Sequence, residues 1–394
     1  MISGYAGMFF FSTIAHSPVE ICGAIVLAAW ILSGRFVKET EAWLASPLAL
    51  PVIGMSLFPW LGLLYTKAPA DGLGIAASGY HWLYCIPLAG ILRERKQGDL
   101  FIKLFLAGLF INTLLSFLQI AHIFPLRYGT PSGFLGISSA WITYTLLLTS
   151  GICITSFYFR HAGSRKLRLG YGLLMLLYFL TIGFVGGRSG YVAFILLSPL
   201  LVYNLVGGRH LVRIVILSTL AIFVLFTFPV VQGRFAQVRK DLLLYAQGDV
   251  NTSLGLRLRM WAIALNEIKS HPVAGIGTNS FKDSWEKNKQ DRSLPFFDHP
   301  HNSFLYMLVS FGIPGLIVFC WLLFVMLKKG WGSFGSPLGF SLFVFTLIFI
   351  TGSLTDTQLI VFPTTILFIL FSGIAASFED TEAVRKKTAL RGAA

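Results

Sequence analysis

The chain has 394 residues, of which 55% are hydrophobic and only 12% charged, and its mean hydropathy is +0.73. Soluble domains carry roughly 25% charged residues, so composition excludes a soluble globular protein and points to an integral membrane protein. The formal net charge of +14 follows the orientation of the spans, which removes nucleic-acid binding as its explanation.

In chain order, apolar runs of the ~17 to 25 residues that cross a roughly 30 Å hydrocarbon core as a helix begin with 17–33, 47–65, 73–92 and 100–121. They continue with 135–159, 167–185, 189–206 and 211–229, then 303–327, 337–355 and 358–377. The expectation is an all-α, polytopic membrane protein with eleven crossings. The stretch "MFFFSTIAH" lacks the basic start and cleavage site of a signal peptide and is too short for a full span. As a truncated or re-entrant first helix it would make twelve. The chain divides into transmembrane helices over 1–231, a loop or cap over 232–301, further transmembrane helices over 302–378, and a tail over 379–394.

Basic residues alternate between the two sides. One set of connections holds Arg35 and Lys38; Arg93, Arg95, Lys96 and Lys103; and Arg160, Arg165, Lys166 and Arg168. To it belong Arg209, Arg213, Lys328 and Lys329, and the tail's Arg385, Lys386, Lys387 and Arg391, eighteen in all. The other short connections hold three: Lys67, Arg127 and Arg188. Because basic residues are retained in cytoplasmic loops, the first set is predicted inside, and the second, with the long loop, outside. The cysteines Cys22, Cys85, Cys153 and Cys320 all lie in apolar runs without a C-x-x-C pair. They read as core hydrophobes rather than disulfides or metal ligands.

Residues 232–300 carry ten basic and seven acidic groups with helical patterning, which predicts a folded cap. "NTSLGLRLRMWAIALNEIKSHP" reads as one helix, capped by Thr252 or Ser253 and ended by Pro272. Leu254, Leu258, Trp261, Leu265 and Ile268 form an apolar stripe expected to lie on the membrane surface or on the bundle. Arg257 borders that stripe, whereas Arg259, rotated about 200°, is expected to face water. A Gly-rich turn, "VAGIGTNSF", and a short polar helix through Trp285 follow.

Four positions on the predicted outer side need explaining. Arg188, among the glycines of "GGRSG", is either an interfacial anchor or, beside exposed Gly and Ser amides, a receptor for phosphate. His301 opens a helix, where the macrodipole favours the neutral, proton-accepting ring. It is either a base or a residue that satisfies backbone groups, and Asn302 or Ser303 can cap the same helix. His299, ahead of a proline, reads as a loop residue. Asp356 is the only acid between the last two runs, and is either a helix cap or the partner of an arginine or the histidine.

No D-x-D or paired-carboxylate cluster lies in the outer segments, so no divalent metal is expected. No Gly-rich phosphate loop or G-x-S-x-G signature is present either, so no nucleotide cofactor or serine nucleophile is expected. Two arginines and a neutral histidine suit transfer from a diphosphate leaving group to a hydroxyl acceptor without metal.

His301 and Asn302, nine further residues, and then "GIPG" at 312–315 fit the histidine-to-glycine signature of the bacterial O-antigen ligase (WaaL) family. "TSLGLRLRMW", with Arg257, resembles the arginine-bearing segment of that family's large periplasmic loop. "GGRSG", with Arg188, is similar to its other arginine site, and Asp356 falls where the family has an aspartate near the last helices. The resemblance covers the second half of the chain; residues 1–130 match only in being hydrophobic. It implies a metal-independent, cofactor-free inverting glycosyltransferase of the bacterial inner membrane. Such an enzyme moves a polysaccharide from undecaprenyl diphosphate to a sugar hydroxyl of lipid A-core at the periplasmic face. The resemblance makes His301 the general base, gives Arg188 and Arg257 the diphosphate, and has Asp356 orient one of these groups. Asn302, Gly312 and Gly315 support the site.

Rival readings come from within and outside this superfamily. An O-antigen polymerase shares donor and chemistry, and the "TSLGLRLRM" segment leans toward the ligase. A protein O-oligosaccharyltransferase often carries an additional domain, for which the tail after residue 377 is too short. A transporter or flippase should place charges near the middle of several spans and repeat its halves, whereas here the charges crowd at the rim.

Overall fold

The computed structural model describes residues 1–95, 97–126, 135–137, 141–207, 210–289 and 291–378. Among them the chain is helical, without strands. It opens with α1 (Ile2–Phe11), α2 (His16–Leu32), α3 (Phe36–Leu44), α4 (Ala49–Leu63) and α5 (Pro69–Ala77). A 3-10 turn (Ser78–Tyr84) joins α5 to α6 (Cys85–Arg95), and α7 (Gly98–Ile120), α8 (Trp141–Arg160), α9 (Arg165–Phe184) and α10 (Arg188–Val206) follow. Next come α11 (Leu211–Phe226), α12 (Pro229–Ala246), α13 (Ser253–Ser270) and α14 (Phe281–Asn288), and finally α15 (Ser303–Gly332), α16 (Pro337–Ser353) and α17 (Phe362–Ser377).

Each predicted apolar run contains a helix, and the all-α, polytopic class is the one observed. The span count differs. Six helical stretches among the described residues are long and apolar enough to cross a membrane: Pro69–Glu94, Gly98–Ile120, Trp141–Arg160, Arg165–Phe184, Arg188–Val206 and Ser303–Gly332. The pairs α2 with α3 and α11 with α12 bend by 104° and 85°, which makes eight if each pair is one span. Four more apolar helices, α1, α4, α16 and α17, are 10–17 residues long. Apolar runs overstate helix length because some of their residues build turns. The runs 337–355 and 358–377 lose both inner ends to the turn around Asp356, since α16 stops at Ser353 and α17 starts at Phe362. Lys96, Arg127, Arg209 and the predicted tail 379–394 lie outside the described residues.

Three packing devices position the functional end. First, α16 and α17 are clamped by parallel ring stacks, Phe345 on Phe371 (centroids 4.3 Å apart) and Phe349 on Phe368 (4.1 Å). Each stack contributes about 0.5 to 1.5 kcal/mol beyond area burial, and together they hold the Asp356 turn. Second, α10 lies directly against α8, with Thr145 Oγ1 donating to the Gly187 carbonyl and Thr149 Oγ1 to that of Gly190, both at 3.2 Å. A Cβ at either glycine would stand 2.1 or 2.2 Å from Thr145. Two glycines of "GGRSG" thus serve helix packing and fix where Arg188 emerges.

Third, α15 is broken at Gly312, whose φ of 65° and ψ of −163° suit only glycine. The Gly-rich turn after Pro272 enters this break. The Ile313 amide donates to the Pro272 carbonyl (2.9 Å), Ile276 to Val309 (2.8 Å) and Gly277 to Ser310 (3.0 Å). The nine residues between Asn302 and Gly312 are therefore a rigid helical spacer of roughly 13 Å that sets His301 at a fixed distance from the point where α15 meets the loop.

Candidate active site

Asn302 organises the start of α15. Its Oδ1 accepts from the amides of Phe304 (2.9 Å) and Leu305 (3.0 Å), which caps the helix. Its own amide donates to Thr357 Oγ1 (3.1 Å) and its Nδ2 to the Leu354 carbonyl (3.0 Å), tying α15 to the turn between α16 and α17. His301 is left one residue outside the helix, in the left-handed region at φ 49°, a conformation that functional sites retain at some cost. Its Nδ1 lies 2.7 Å from Asp356 Oδ1. Asp356 is not the helix cap of its alternative reading, since Val361, with no side-chain cap bond, precedes α17, and it is Asn302 that caps α15.

Burial pushes the Asp356 carboxyl up. The His301 hydrogen bond, the charges of His301 and His299, and the Thr357 amide together outweigh it and hold the group below its usual range. An ionised carboxylate only accepts, so Nδ1 of His301 carries a proton, and in the neutral form of the ring the lone pair sits on Nε2. His299 is more than a loop residue. Its Nδ1 accepts from the His301 amide (3.2 Å) and its ring centroid lies 4.3 Å from that of His301. Burial, and next the charge of His301, lower it to about 4, so it is neutral at physiological pH.

Beside this pair is a cavity of about 240 Å³ into which Arg188, Arg234 and Arg257 all project. Arg188, the first residue of α10, donates to Ser253 Oγ (2.7 Å) and lies 3.6 Å from Asp241 Oδ2. Arg257, one turn into α13, donates to the same hydroxyl (2.9 Å) and to the Ser253 carbonyl (3.1 Å). One serine therefore draws two guanidiniums together. Burial lowers the Arg257 guanidinium, Asp356 raises it, and Arg188 lowers it again; it remains a cation, as arginine does in proteins. Its Nε is buried and has no hydrogen-bond partner among the described residues, a donor available to a ligand. Trp261 Nε1 donates to the Pro300 carbonyl (3.0 Å), and Ser189 and Thr355 share a hydroxyl bond (2.6 Å), joining the arginine cavity to the histidine.

Thr252 caps α13, accepting from the Gly255 amide, as predicted, but the buried face of the helix is not the predicted stripe. Met260, Ile263 and Ala264 are buried against Phe281, Trp285 and Val309, while Leu265 is 48% exposed. Leu254 and Trp261 instead line the arginine cavity. Arg259 departs from expectation too: it is half-buried and donates to the Asn288 carbonyl at the end of α14. Sequence reading missed Asp241, the buried acid that accepts the Leu254 amide (3.2 Å) and faces Arg188. It also missed Arg234, which packs over the Trp141 ring at 5.0 Å. Both lie on α12, where no spacing singles them out.

No divalent site was expected, yet His299, His301 and Asp356 each offer a ligand atom within 4.8 Å of the others. The direct His301–Asp356 bond occupies the space between two of them, and the electrostatic reach of Arg257 to Asp356 opposes a second cation.

Residues 173–320 match the family model described as O-Antigen ligase (Wzy_C), a segment that contains Arg188, Arg257, His301, Gly312 and Gly315. A Haemophilus influenzae (strain ATCC 51907 / DSM 11121 / KW20 / Rd) protein recorded as "Uncharacterized protein" is 24% identical over 181 residues. That match spans 43% of this chain and 45% of the relative. The chain is thus a polytopic membrane protein whose residues 173–320 are similar to the O-antigen ligase (Wzy_C) superfamily.

Proposed function

We propose that the protein is an O-antigen ligase, an inverting glycosyltransferase that moves a polysaccharide from undecaprenyl diphosphate to a sugar hydroxyl of lipid A-core. The reading is supported above all by His301 held by an ionised Asp356 beside a cavity bearing Arg188 and Arg257. Nε2 of His301 takes the proton of the acceptor hydroxyl as its oxygen attacks the anomeric carbon from the face opposite the diphosphate. The carbon–oxygen bond to phosphate breaks, and the departing diphosphate keeps the electron pair. Arg188 and Arg257 meet the charge that develops there with charge-assisted hydrogen bonds. The energy comes from the donor's own linkage, so no nucleotide is required. The arginines neutralise the leaving group, and the mechanism is metal-independent. The predominance of basic residues at the opposite ends of the spans supports placing this site at the periplasmic face of the inner membrane.

The test is incubation of the purified protein with lipid-linked glycan and lipid A-core, with and without excess chelator. Ligated lipid A-core in both arms is expected. Longer lipid-linked chains in its place would make the protein a polymerase. Loss of product in chelator, with rescue by magnesium or manganese, would overturn the metal-free mechanism.

A further inference from the structure

A second cavity lies far from the arginines. It is a groove of about 790 Å³ between α7 and α9, walled on one side by Leu106, Phe110 and Leu114 and on the other by Leu173, Leu177 and Leu180. From Lys166 to Leu180 it runs about 21 Å along α9, enough to cover the ~15 Å of one leaflet of a roughly 30 Å hydrocarbon core. Its charged groups are Lys103 and Lys166, each within two turns of its helix's N-terminus. α9 then spans roughly 30 Å before the chain reaches Arg188, so the lysines mark the end of the bundle opposite the candidate active site.

We infer that this groove binds one anionic phospholipid, acyl chains between α7 and α9 and headgroup phosphate on Lys103 and Lys166, in the leaflet opposite the candidate active site. Two observations carry this beyond an apolar face. The wall is kept open by Gly170, where an added Cβ would meet no atom within 4 Å. A helix-interior glycine costs about 1 kcal/mol against alanine, and no neighbour here requires one. The charge is complementary and confined to the mouth: Lys103 is held by Asp99 at 2.6 Å, whereas Lys166 is exposed and forms no ion pair among the described residues, and Arg165 and Arg168 flank it. Cations at one end of a leaflet-long apolar groove fit a diacyl lipid whose net charge is negative.

The experiment is native mass spectrometry of the detergent-purified full chain, exposed to dioleoyl phosphatidylglycerol, dioleoyl phosphatidylcholine or a polyisoprenyl phosphate. The wild type is expected to retain phosphatidylglycerol in preference to the other two. Each unit of charge at the headgroup is worth about fivefold in binding, so Lys166→Glu should weaken retention about 25-fold. Gly170→Leu, whose Cβ would meet no atom within 4 Å and whose longer side chain takes up groove volume, should abolish it and guards against a folding defect in the first variant. Equal retention of the two diacyl lipids, unchanged phosphatidylglycerol retention in both variants, or preference for the polyisoprenyl phosphate would each overturn the assignment.

Discussion

Replacing Asp356 by asparagine isolates the role of its charge. The side chain keeps its size, but one atom, Oδ1, faces both the Thr357 amide at 2.8 Å and His301 Nδ1 at 2.7 Å, and a carboxamide that gives up the Thr357 bond no longer has to present an acceptor to the ring. An asparagine Nδ2 can donate to Nδ1 instead, which moves the ring proton to Nε2, the atom that must be bare to take the acceptor's proton. Loss of general-base catalysis costs about 10² to 10⁴ in rate. The stability cost is smaller and separate, about 1.5 to 3 kcal/mol for one charge-assisted bond. Single-turnover transfer by equal amounts of folded protein distinguishes the two, because the side-chain hydrogen bond of Asp356 within the site goes to His301. The expected result is a kcat lowered within that range, KM for the lipid-linked donor unchanged, and partial recovery in Asp356→Glu. A kcat within about threefold of wild type, or a loss confined to KM, would refute the reasoning.

Arg257→Ala should lower transfer by about 10² or more while leaving the melting temperature intact, because one contact to the leaving group goes and a buried like-charge neighbour of Arg188 goes with it. Arg257→Lys should recover only part of the rate, whereas Arg259→Ala should transfer at the normal rate per folded molecule but lose about 1 to 2 kcal/mol of stability with its bond to α14. A stable, inactive Arg259→Ala beside an active Arg257→Ala would reverse the assignment. Gly312→Ala should destabilise the protein by at least about 2 kcal/mol, since its Cβ would stand 2.0 Å from the Val273 carbonyl oxygen at a positive φ; a wild-type melting temperature would contradict this. His299 is lowered to about 4 in the fold from an unfolded value of about 6.5, so the unfolded chain binds more protons between those limits. Its contribution is fully present above 6.5 and is lost as pH falls toward 4, on the order of 3 kcal/mol in total. His299→Gln should flatten the stability curve in that window, and an unchanged slope would show that the acid sensitivity lies elsewhere.

The helices and the residues that converge were legible in the sequence to different degrees. Apolar length located every helix that carries a run, but not where helix gives way to turn, since Leu354, Leu359, Ile360 and Val361 are as apolar as a span and yet build the hairpin that holds Asp356. Arg188, Arg257, His301 and Asp356 stood out because each is a titratable group at the mouth of an apolar run, and the structure brings them to one end of the bundle. Asp241 and Arg234 carried no such signal on the mixed-charge helix α12. The stripe on α13 failed for a physical reason. That helix is enclosed on more than one side, so Met260 and Ile263 face α14 and α15 while Leu254 and Trp261 face the cavity, and a single amphipathic face could not describe it. His299 was passed over because its role depends on the left-handed turn at His301, which spacing does not reveal.

The base assignment is tested most directly by the rate at which His301→Ala transfers glycan from its lipid diphosphate to lipid A-core, measured with purified protein at matched folded concentration. His301 caps no helix, so the variant should fold, losing about 1.5 to 3 kcal/mol of stability with its bond to Asp356, while transferring about 10² to 10⁴ times more slowly per folded molecule. Transfer at close to the wild-type rate by a folded His301→Ala would contradict the account.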